Sequence, residues 1–237
     1  MDRDWHEARP MRLECHYLKH PTGSVLVEYG DTKVIVSVNA ENSVPGWLRN
    51  QKPAKGWLTA EYSLMPGSTN TRSKRERNHV SGRTQEIQRL IGRSLRGILD
   101  LSLCPDWTFT VDCDVLQADG GTRTAAISGA YVALELAVRQ LIRDKKLVKS
   151  PIIEGLSAIS VGMLKGQILV DLDYSEDSVA DVDMNIIRTS TSKRFLEVQG
   201  SAEGYSFSQS ELVGMIDSCA MTLDHVADIQ KQALEMN

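Results

Sequence analysis

The stretch that decides the fold reads Asp119-Gly120-Gly121-Thr122-Arg123-Thr124. Before it, residues 108–116 alternate as a strand does, and after it residues 125–142 form an apolar run rich in small side chains, typical of a helix. The glycine pair lets the chain turn without a Cβ clash, and the first N–H groups of the helix lack intrahelical partners, which favours an anion. Arg123 adds a planar charge suited to phosphate. We therefore predict a phosphate site at this turn, with a plain strand–helix connection as the alternative.

Around this turn the chain follows the order strands then helix, twice. The predicted elements are a hairpin at 25–38, a strand at 56–65, a polar loop at 66–81, a helix at 84–99, strand pairs at 158–173 and 183–199, and one long closing helix. Ser208 and Glu211 have the spacing of a capping box at the start of that last helix. The pattern predicts an α+β fold with halves at 1–145 and 151–237 in one compact unit, and with helix 125–142 buried between layers.

The composition limits the class of protein. The 237 residues are 41% apolar and 24% charged with a net charge of −4, which is ordinary for a globular protein and argues against a uniformly basic nucleic-acid binder. The four cysteines show no C-x-x-C spacing, so we expect buried free thiols in a reducing cytosol. Residues 1–14 lack the apolar core of a signal peptide, and no apolar run approaches the ~18 residues that span a membrane. We expect a cytoplasmic protein without membrane contact.

Basic side chains concentrate between positions 72 and 96, where the sequence contains eight basic residues and two acidic ones. Arg72, Arg75 and Arg77 lie in the predicted polar loop, where no helix supports ion pairing. A flexible basic loop suits a polyanionic backbone, so we predict that these three residues contact RNA or DNA. A solvated surface is the alternative.

The predicted helix that follows this loop carries basic residues of two kinds. Arg89, Arg93 and Arg96 share the helix with Glu86, so intrahelical pairing accounts for them. Arg83 follows Gly82 at the start of the helix, so its guanidinium and the helix N-terminus favour the same anion.

Acidic side chains concentrate in the second half. Six acids and no basic residue lie between positions 171 and 183. Carboxylates beside a substrate phosphate commonly hold Mg²⁺, and Asp177 and Asp183 flank a short loop, so both could point into one site. A solvated surface is again the alternative. The five histidines are scattered, and no Ser-His-Asp arrangement is visible.

Long blocks of this sequence resemble one family, bacterial ribonuclease PH. The matching residues run from about Arg9 to the closing helix. The blocks are Gly-Ser-Val-Leu-Val-Glu-Tyr-Gly-Asp-Thr-Lys-Val (23–34), Gly-Trp-Leu-Thr-Ala-Glu-Tyr (56–62), Gly-Arg-Thr-Gln-Glu-Ile-Gln-Arg-Leu-Ile (82–91), the segment 112–124 with the glycine turn, Glu-Asp-Ser (176–178), Asp-Met-Asn (183–185) and Glu-Val-Gln-Gly-Ser-Ala-Glu-Gly (197–204). The chain departs from the family at residues 1–8, where an Arg-x-Asp-Gly-Arg motif is usual.

The resemblance implies a phosphorolytic 3′→5′ exoribonuclease of the nucleotidyltransferase class. It would trim tRNA precursors and other structured RNA such as rRNA, and it would release nucleoside diphosphates. The implied fold has two β-α halves that resemble domain 2 of ribosomal protein S5, in a hexamer built as a trimer of dimers.

On the matching positions, phosphate would bind at Arg83, Gly121, Thr122 and Arg123. Asp177 and Asp183 would be catalytic, as Mg²⁺ ligands or as the general acid. The loop with Arg72, Arg75 and Arg77 would guide RNA.

Two other functions stay open at this point. An inactive ring subunit would bind RNA without cutting it, but such a subunit would be expected to lose the phosphate arginines or the aspartates, and all of them are present. A two-metal hydrolytic nuclease would need more clustered Asp, Glu and His ligands and has less use for a glycine–arginine turn.

Overall fold

The computed structural model describes residues 5, 7–203 and 206–237. The unusual start of the chain falls largely on residues 1–4 and 6, and Gly204 ends the last matching block; these positions lie outside the described residues.

The first half of the chain forms a five-stranded sheet. Its strands are β1 (Met11–Cys15), β2 (Gly23–Tyr29), β3 (Thr32–Glu41), β4 (Trp57–Leu64) and β5 (Thr108–Gln117). They lie in the order β1-β2-β3-β5-β4, with β4 and β5 parallel and the other neighbours antiparallel. The predicted hairpin is confirmed as β2 and β3, which turn at Gly30 and Asp31. Alternate side chains of β5 are buried, so one face of the sheet lines the core.

The second half forms a four-stranded antiparallel sheet in the order β7-β6-β8-β9. The strands are β6 (Leu156–Leu164), β7 (Gln167–Val170), β8 (Val182–Thr189) and β9 (Phe195–Ala202). Between β7 and β8 lies a four-residue helix, α3 (Tyr174–Asp177).

Two helices of the first half bring the sheets together. Helix α1 (Gly82–Arg96) connects β4 with β5, and a 3-10 turn at Leu101–Leu103 follows it. Helix α2 (Thr122–Arg143) packs against β2 and β3 on one side and against β6 on the other, so it lies between the layers as predicted. Small side chains permit this approach: a Cβ at Gly129 would lie 2.2 Å from Cγ2 of Val27.

Helix α2 is, among the described residues, the one helix that is long and apolar enough to cross a membrane by length and composition. In the fold, 72% of the most apolar 18-residue stretch of this helix is buried inside the protein. The helix is therefore the centre of the core.

Other differences concern element ends and short elements. The closing helix is two helices, α4 (Gln209–Ser218) and α5 (Ala220–Glu235), separated at Cys219. The predicted capping box is confirmed. The Ser208 side chain accepts a hydrogen bond from the backbone N–H of Glu211, and the Glu211 side chain accepts one from the backbone N–H of Ser208. The pattern predicts neither β1 nor α3. The cysteines are free, and Cys15 is half-buried while the other three are buried.

Candidate active site

The main candidate site is a cavity of ≈ 360 Å³ that is lined by both halves of the chain. The first half contributes the end of β4, the loop after it, the start of α1 and the glycine turn before α2. The second half contributes β6, α3 and β8. Six of the predicted site residues line this one cavity: Arg83, Gly121, Thr122, Arg123, Asp177 and Asp183.

The glycine turn presents an open helix N-terminus to the cavity. Gly120 and Gly121 have φ of +72° and +62°, and a Cβ on Gly120 would lie 2.3 Å from the carbonyl oxygen of Leu172. Gly121 is the N-cap residue of α2 and has no side chain to accept a capping hydrogen bond, so the first N–H groups of α2 are available to an anion. Thr122 accepts a hydrogen bond from the Tyr62 hydroxyl at 2.9 Å and keeps its own proton for a ligand.

Two arginines face this turn. Arg123 is partly buried and lies 3.4 Å from a carboxylate oxygen of Glu86, and its buried Nε has no hydrogen-bond partner among the described residues. Arg83 is the second residue of α1, and its side chain is exposed. It forms no ion pair with any residue in the part of the chain that the structure describes. An unpaired guanidinium and a buried unpaired Nε are both donors suited to a phosphate oxygen.

The pairing expected along α1 is wrong. Glu86 contacts Arg123 and accepts a hydrogen bond from Gln199 Nε2 at 2.8 Å, Arg93 pairs with Glu197, and Arg96 donates to the carbonyl oxygen of Leu58. Partners from other elements replace the i+3 and i+4 neighbours because this face of α1 lies against β4 and the second sheet. Glu86 thereby orients Arg123.

Two carboxylates lie in the same cavity. Burial raises the pKa of Asp177, while Arg123 and Arg83 act in the opposite direction. Burial also raises the pKa of Asp183, to about 6; the charge of Asp177 adds to the rise and the two arginines oppose it. The two acids are thus close to one another and to both arginines.

The donor set fits Mg²⁺ in one manner. No group of three His, Cys, Asp or Glu side chains within the described parts of the chain could hold a metal ion alone. Mg²⁺, however, usually binds through one or two carboxylates, retained waters and substrate phosphate oxygens. Asp177 and Asp183 beside an anion site meet that requirement.

The three loop arginines lie outside the cavity lining. Arg72, Arg75 and Arg77 are exposed, whereas the loop residues that line the cavity are Thr69, Asn70, Thr71 and Ser73. The loop has neither helix nor strand, as predicted. Contact between these arginines and RNA therefore stays a prediction.

Arg9 is a central residue that the sequence pattern does not reveal. Its Nε and Nη2 donate to the two carboxylate oxygens of buried Asp171, at 2.8 and 2.7 Å. Its guanidinium also donates to the carbonyl oxygens of Asp119 and Leu172. Arg9 thus ties the glycine turn to the segment that leads into α3. No local signal predicts a pair 162 residues apart.

Asn185 also lines the cavity and could have been found. It lies two residues after Asp183 on β8, and the alternation of a strand places both side chains on one face.

A cavity with two arginines, an open helix N-terminus and two carboxylates is the kind of site that enzymes of phosphoryl transfer present. Models of the 3′ exoribonuclease family match the chain at residues 7–140 (domain 1) and 156–218 (domain 2). The chain therefore belongs to the 3′ exoribonuclease family.

Individual relatives agree with this assignment. The chain is 49% identical to ribonuclease PH of Moorella thermoacetica over 98% of this chain and 92% of that protein. It is 48% identical to ribonuclease PH of Bacillus cereus, over 98% and 95%. The resemblance stated from the sequence is confirmed.

Two solved structures share the fold at lower identity. Rice (Oryza sativa) Rrp46 has a TM-score of 0.79 at 18% identity, with 98% of both chains covered. The Archaeoglobus fulgidus exosome with RNA bound to the active site has a TM-score of 0.81 at 22% identity, covering 95% of this chain and 90% of that one. The predicted α+β class with the ribonuclease PH fold is confirmed.

Proposed function

We propose that the cavity between the two halves carries out phosphorolysis at the 3′ end of RNA. As a relative of ribonuclease PH, the chain is a phosphorolytic 3′ exoribonuclease of the nucleotidyltransferase class, and its substrates are tRNA precursors. The observation that carries the proposal is the convergence of Arg83, Arg123 and the α2 N-terminus opposite Asp177 and Asp183.

The reaction joins two anions. An oxygen of inorganic phosphate attacks the phosphorus of the last internucleotide linkage, and the bond from that phosphorus to the 3′-oxygen of the preceding nucleotide breaks. The products are a nucleoside diphosphate and an RNA shortened by one nucleotide with a free 3′-hydroxyl. Neither anion approaches the other without compensating charge, which Arg83, Arg123 and the N–H groups at Gly121 and Thr122 supply.

The two aspartates act at the leaving oxygen. Asp177 and Asp183 would hold Mg²⁺, which when bound offsets the negative charge that grows on the leaving 3′-oxygen. In the alternative role, without the cation on its carboxylate, a pKa of about 6 would let Asp183 hold a proton part of the time near neutral pH and donate it to that oxygen. Both roles need the carboxylate at the same place.

The RNA that leads to the cavity would pass the exposed loop with Arg72, Arg75 and Arg77. Their position beside the cavity-lining residues Thr69, Asn70, Thr71 and Ser73 supports this route, since exposed arginines next to a phosphate site extend its positive potential. rRNA and other structured RNA would be handled at the same site.

Assembly and location complete the proposal. The family resemblance implies a hexamer built as a trimer of dimers. One feature supports subunit contacts: β9 is an edge strand with exposed Phe195 and Val198. A cytoplasmic location is supported by four free cysteines.

One assay tests the reaction. The purified protein is incubated with Mg²⁺ and a 3′-extended RNA, with and without inorganic phosphate, and the released nucleotide is identified. Diphosphates that form only with phosphate are expected. Monophosphates irrespective of phosphate would mean hydrolysis, and retained RNA binding without release would mean an inactive ring subunit.

Two arginine variants refine that assay. Arg83→Ala is expected to lose phosphorolysis and keep its fold, because Arg83 is exposed at the cavity. Arg12→Ala is the matched control, since Arg12 is exposed on β1 away from the cavity lining. Near-normal activity of Arg83→Ala would contradict the assigned phosphate contact.

A further inference from the structure

Tyr174 is an aromatic residue of the cavity that the reaction described above does not use. Within the described residues 5, 7–203 and 206–237, the cavity lining contains Tyr62 and Tyr174. The Tyr62 hydroxyl donates a hydrogen bond to Thr122. Because the Tyr62 side chain is buried, its ring is not available for a ligand to stack on. Tyr174 is 50% exposed, and its ring offers an open aromatic surface at the cavity wall.

The backbone that carries Tyr174 is held in place. Tyr174 is the first residue of α3, whose capping box joins Asp173 and Glu176 in both directions. The Tyr174 N–H also donates to Asp119 Oδ1 at 3.4 Å, which links α3 to the glycine turn. Because the backbone is already fixed, only the two side-chain torsions of the ring have to be ordered when it binds a ligand.

The spacing places this ring beside the reacting groups. Tyr174 and Asp177 are three residues apart on α3, so their Cβ atoms lie about 5–6 Å from each other on one side of the helix. Asp177 faces the leaving 3′-oxygen in the proposed reaction. The base of the terminal nucleotide is attached through one ribose to the phosphorus under attack, which brings it within reach of Tyr174.

We infer that Tyr174 is the platform on which the base of the 3′-terminal RNA nucleotide stacks; this inference rests on the proposed function. The chemistry of the substrate explains why stacking suits this position. Each reaction cycle exposes a new terminal base. If the site recognised one base through a specific hydrogen-bond pattern, nucleotide removal would stop when a different base became terminal. Every base has a π-face, and stacking on an aromatic ring tolerates all four.

The test uses the full-length protein with Mg²⁺, without phosphate, and an RNA oligomer that ends in 2-aminopurine. Stacking quenches this fluorophore. We expect quenching with the unaltered protein and with Tyr174→Phe, and loss of quenching with Tyr174→Ala. The matched control is Tyr17→Ala, which removes another exposed tyrosine outside the cavity lining and should leave the quenching intact. The same probe placed in the middle of the oligomer should not respond to Tyr174→Ala.

Kinetics give a second readout. Tyr174→Ala should raise the KM for RNA about tenfold, more for RNA that ends in a purine than in a pyrimidine, while the KM for phosphate stays unchanged. No quenching with the unaltered protein, quenching that survives Tyr174→Ala, or equal loss in Tyr174→Phe and Tyr174→Ala would overturn the inference. An unaltered protein that quenches the terminal probe but releases no diphosphate would instead refute the proposed reaction.

Discussion

Replacing Arg9 with methionine should destabilise the fold more than any single change at an exposed arginine. The Arg9 side chain is 9% exposed, and its partner Asp171 is fully buried at 0%. Burial alone would lower the pKa of the Arg9 guanidinium, but hydrogen bonds to Asp171 and the charges of Asp171 and Asp119 outweigh it and raise the pKa above its ordinary value. The guanidinium is therefore held charged inside the protein.

The size of the effect follows from the contacts. Methionine keeps most of the side-chain volume and removes the bonds from Nε and Nη2 to Asp171 and from the guanidinium to Asp119 and Leu172. Truncating one partner of a buried ion pair costs about 3–5 kcal/mol. The lower end, about 3 kcal/mol, is expected here because the backbone N–H of residue 9 still donates to Asp171.

Urea unfolding at fixed protein concentration measures this loss. The midpoint for Arg9→Met should fall by about 1 M or more. For the double variant Arg9→Met/Asp171→Asn, the decrease in the free energy of unfolding should be smaller than the sum of the decreases in the two single variants by at least about 1 kcal/mol. The reason is that the double variant removes both charges together. The KM for phosphate should also rise, because Asp119 and Leu172 border the glycine turn.

The matched control is Arg12→Met; Arg12 follows shortly after Arg9 in the chain, on β1, but its side chain is 76% exposed and lies 4.0 Å from Glu28. An exposed pair of this kind contributes little. If Arg9→Met and Arg12→Met have the same midpoint, or if the double variant is additive, the buried pair does not hold the turn and this reasoning is refuted.

Three further predictions concern the turn and the acids. Asp183→Asn should lower phosphorolysis about 100-fold or more while a gel shift still detects bound RNA; equal loss of both would indicate a structural role. Mg²⁺ affinity, measured by calorimetry, should fall as pH drops through about 6, because a proton on Asp183 then competes with the cation; a flat profile between pH 5 and 7 would contradict the assigned ligand. Gly120→Ala should cost about 1–3 kcal/mol in urea unfolding, since a Cβ there meets the Leu172 carbonyl oxygen at a positive φ; an unchanged midpoint would show that the turn relaxes.

The part of the fold that could be predicted is the part with strong local signals. Alternation in β5, the glycine pair and the small apolar residues of α2 each constrain nearby backbone, so the strand–turn–helix unit is evident from the sequence. Two misses have the same origin. The apolar period continues through Cys219 and hides the break between α4 and α5, and the four residues of α3 are too few to show a period.

The candidate site divides in the same manner. Arg83 and Arg123 each have a local signal, a helix start next to glycine, and both line the cavity. Their meeting with Asp177 and Asp183 depends on how two sheets pack, which no local pattern encodes; the family resemblance supplied it. Neither a local sequence signal nor the family resemblance indicated the pairing of Arg9 with Asp171, since this pairing exists only in the folded chain.

The buried pair also bears on why the site is divided between two halves. The cations and the open helix N-terminus come from the first half, and the carboxylates and Tyr174 come from the second, so neither half contains a complete site. Well-packed apolar residues of similar volume often stabilise a fold as well as a buried ion pair such as Arg9 and Asp171 does. A bidentate guanidinium–carboxylate pair, however, is satisfied in one arrangement, whereas apolar side chains tolerate many. Because Arg9 also bonds both segments that border the cavity, the pair fixes the position of the acids relative to the phosphate turn, and a loss of that position would weaken phosphate binding and metal binding together.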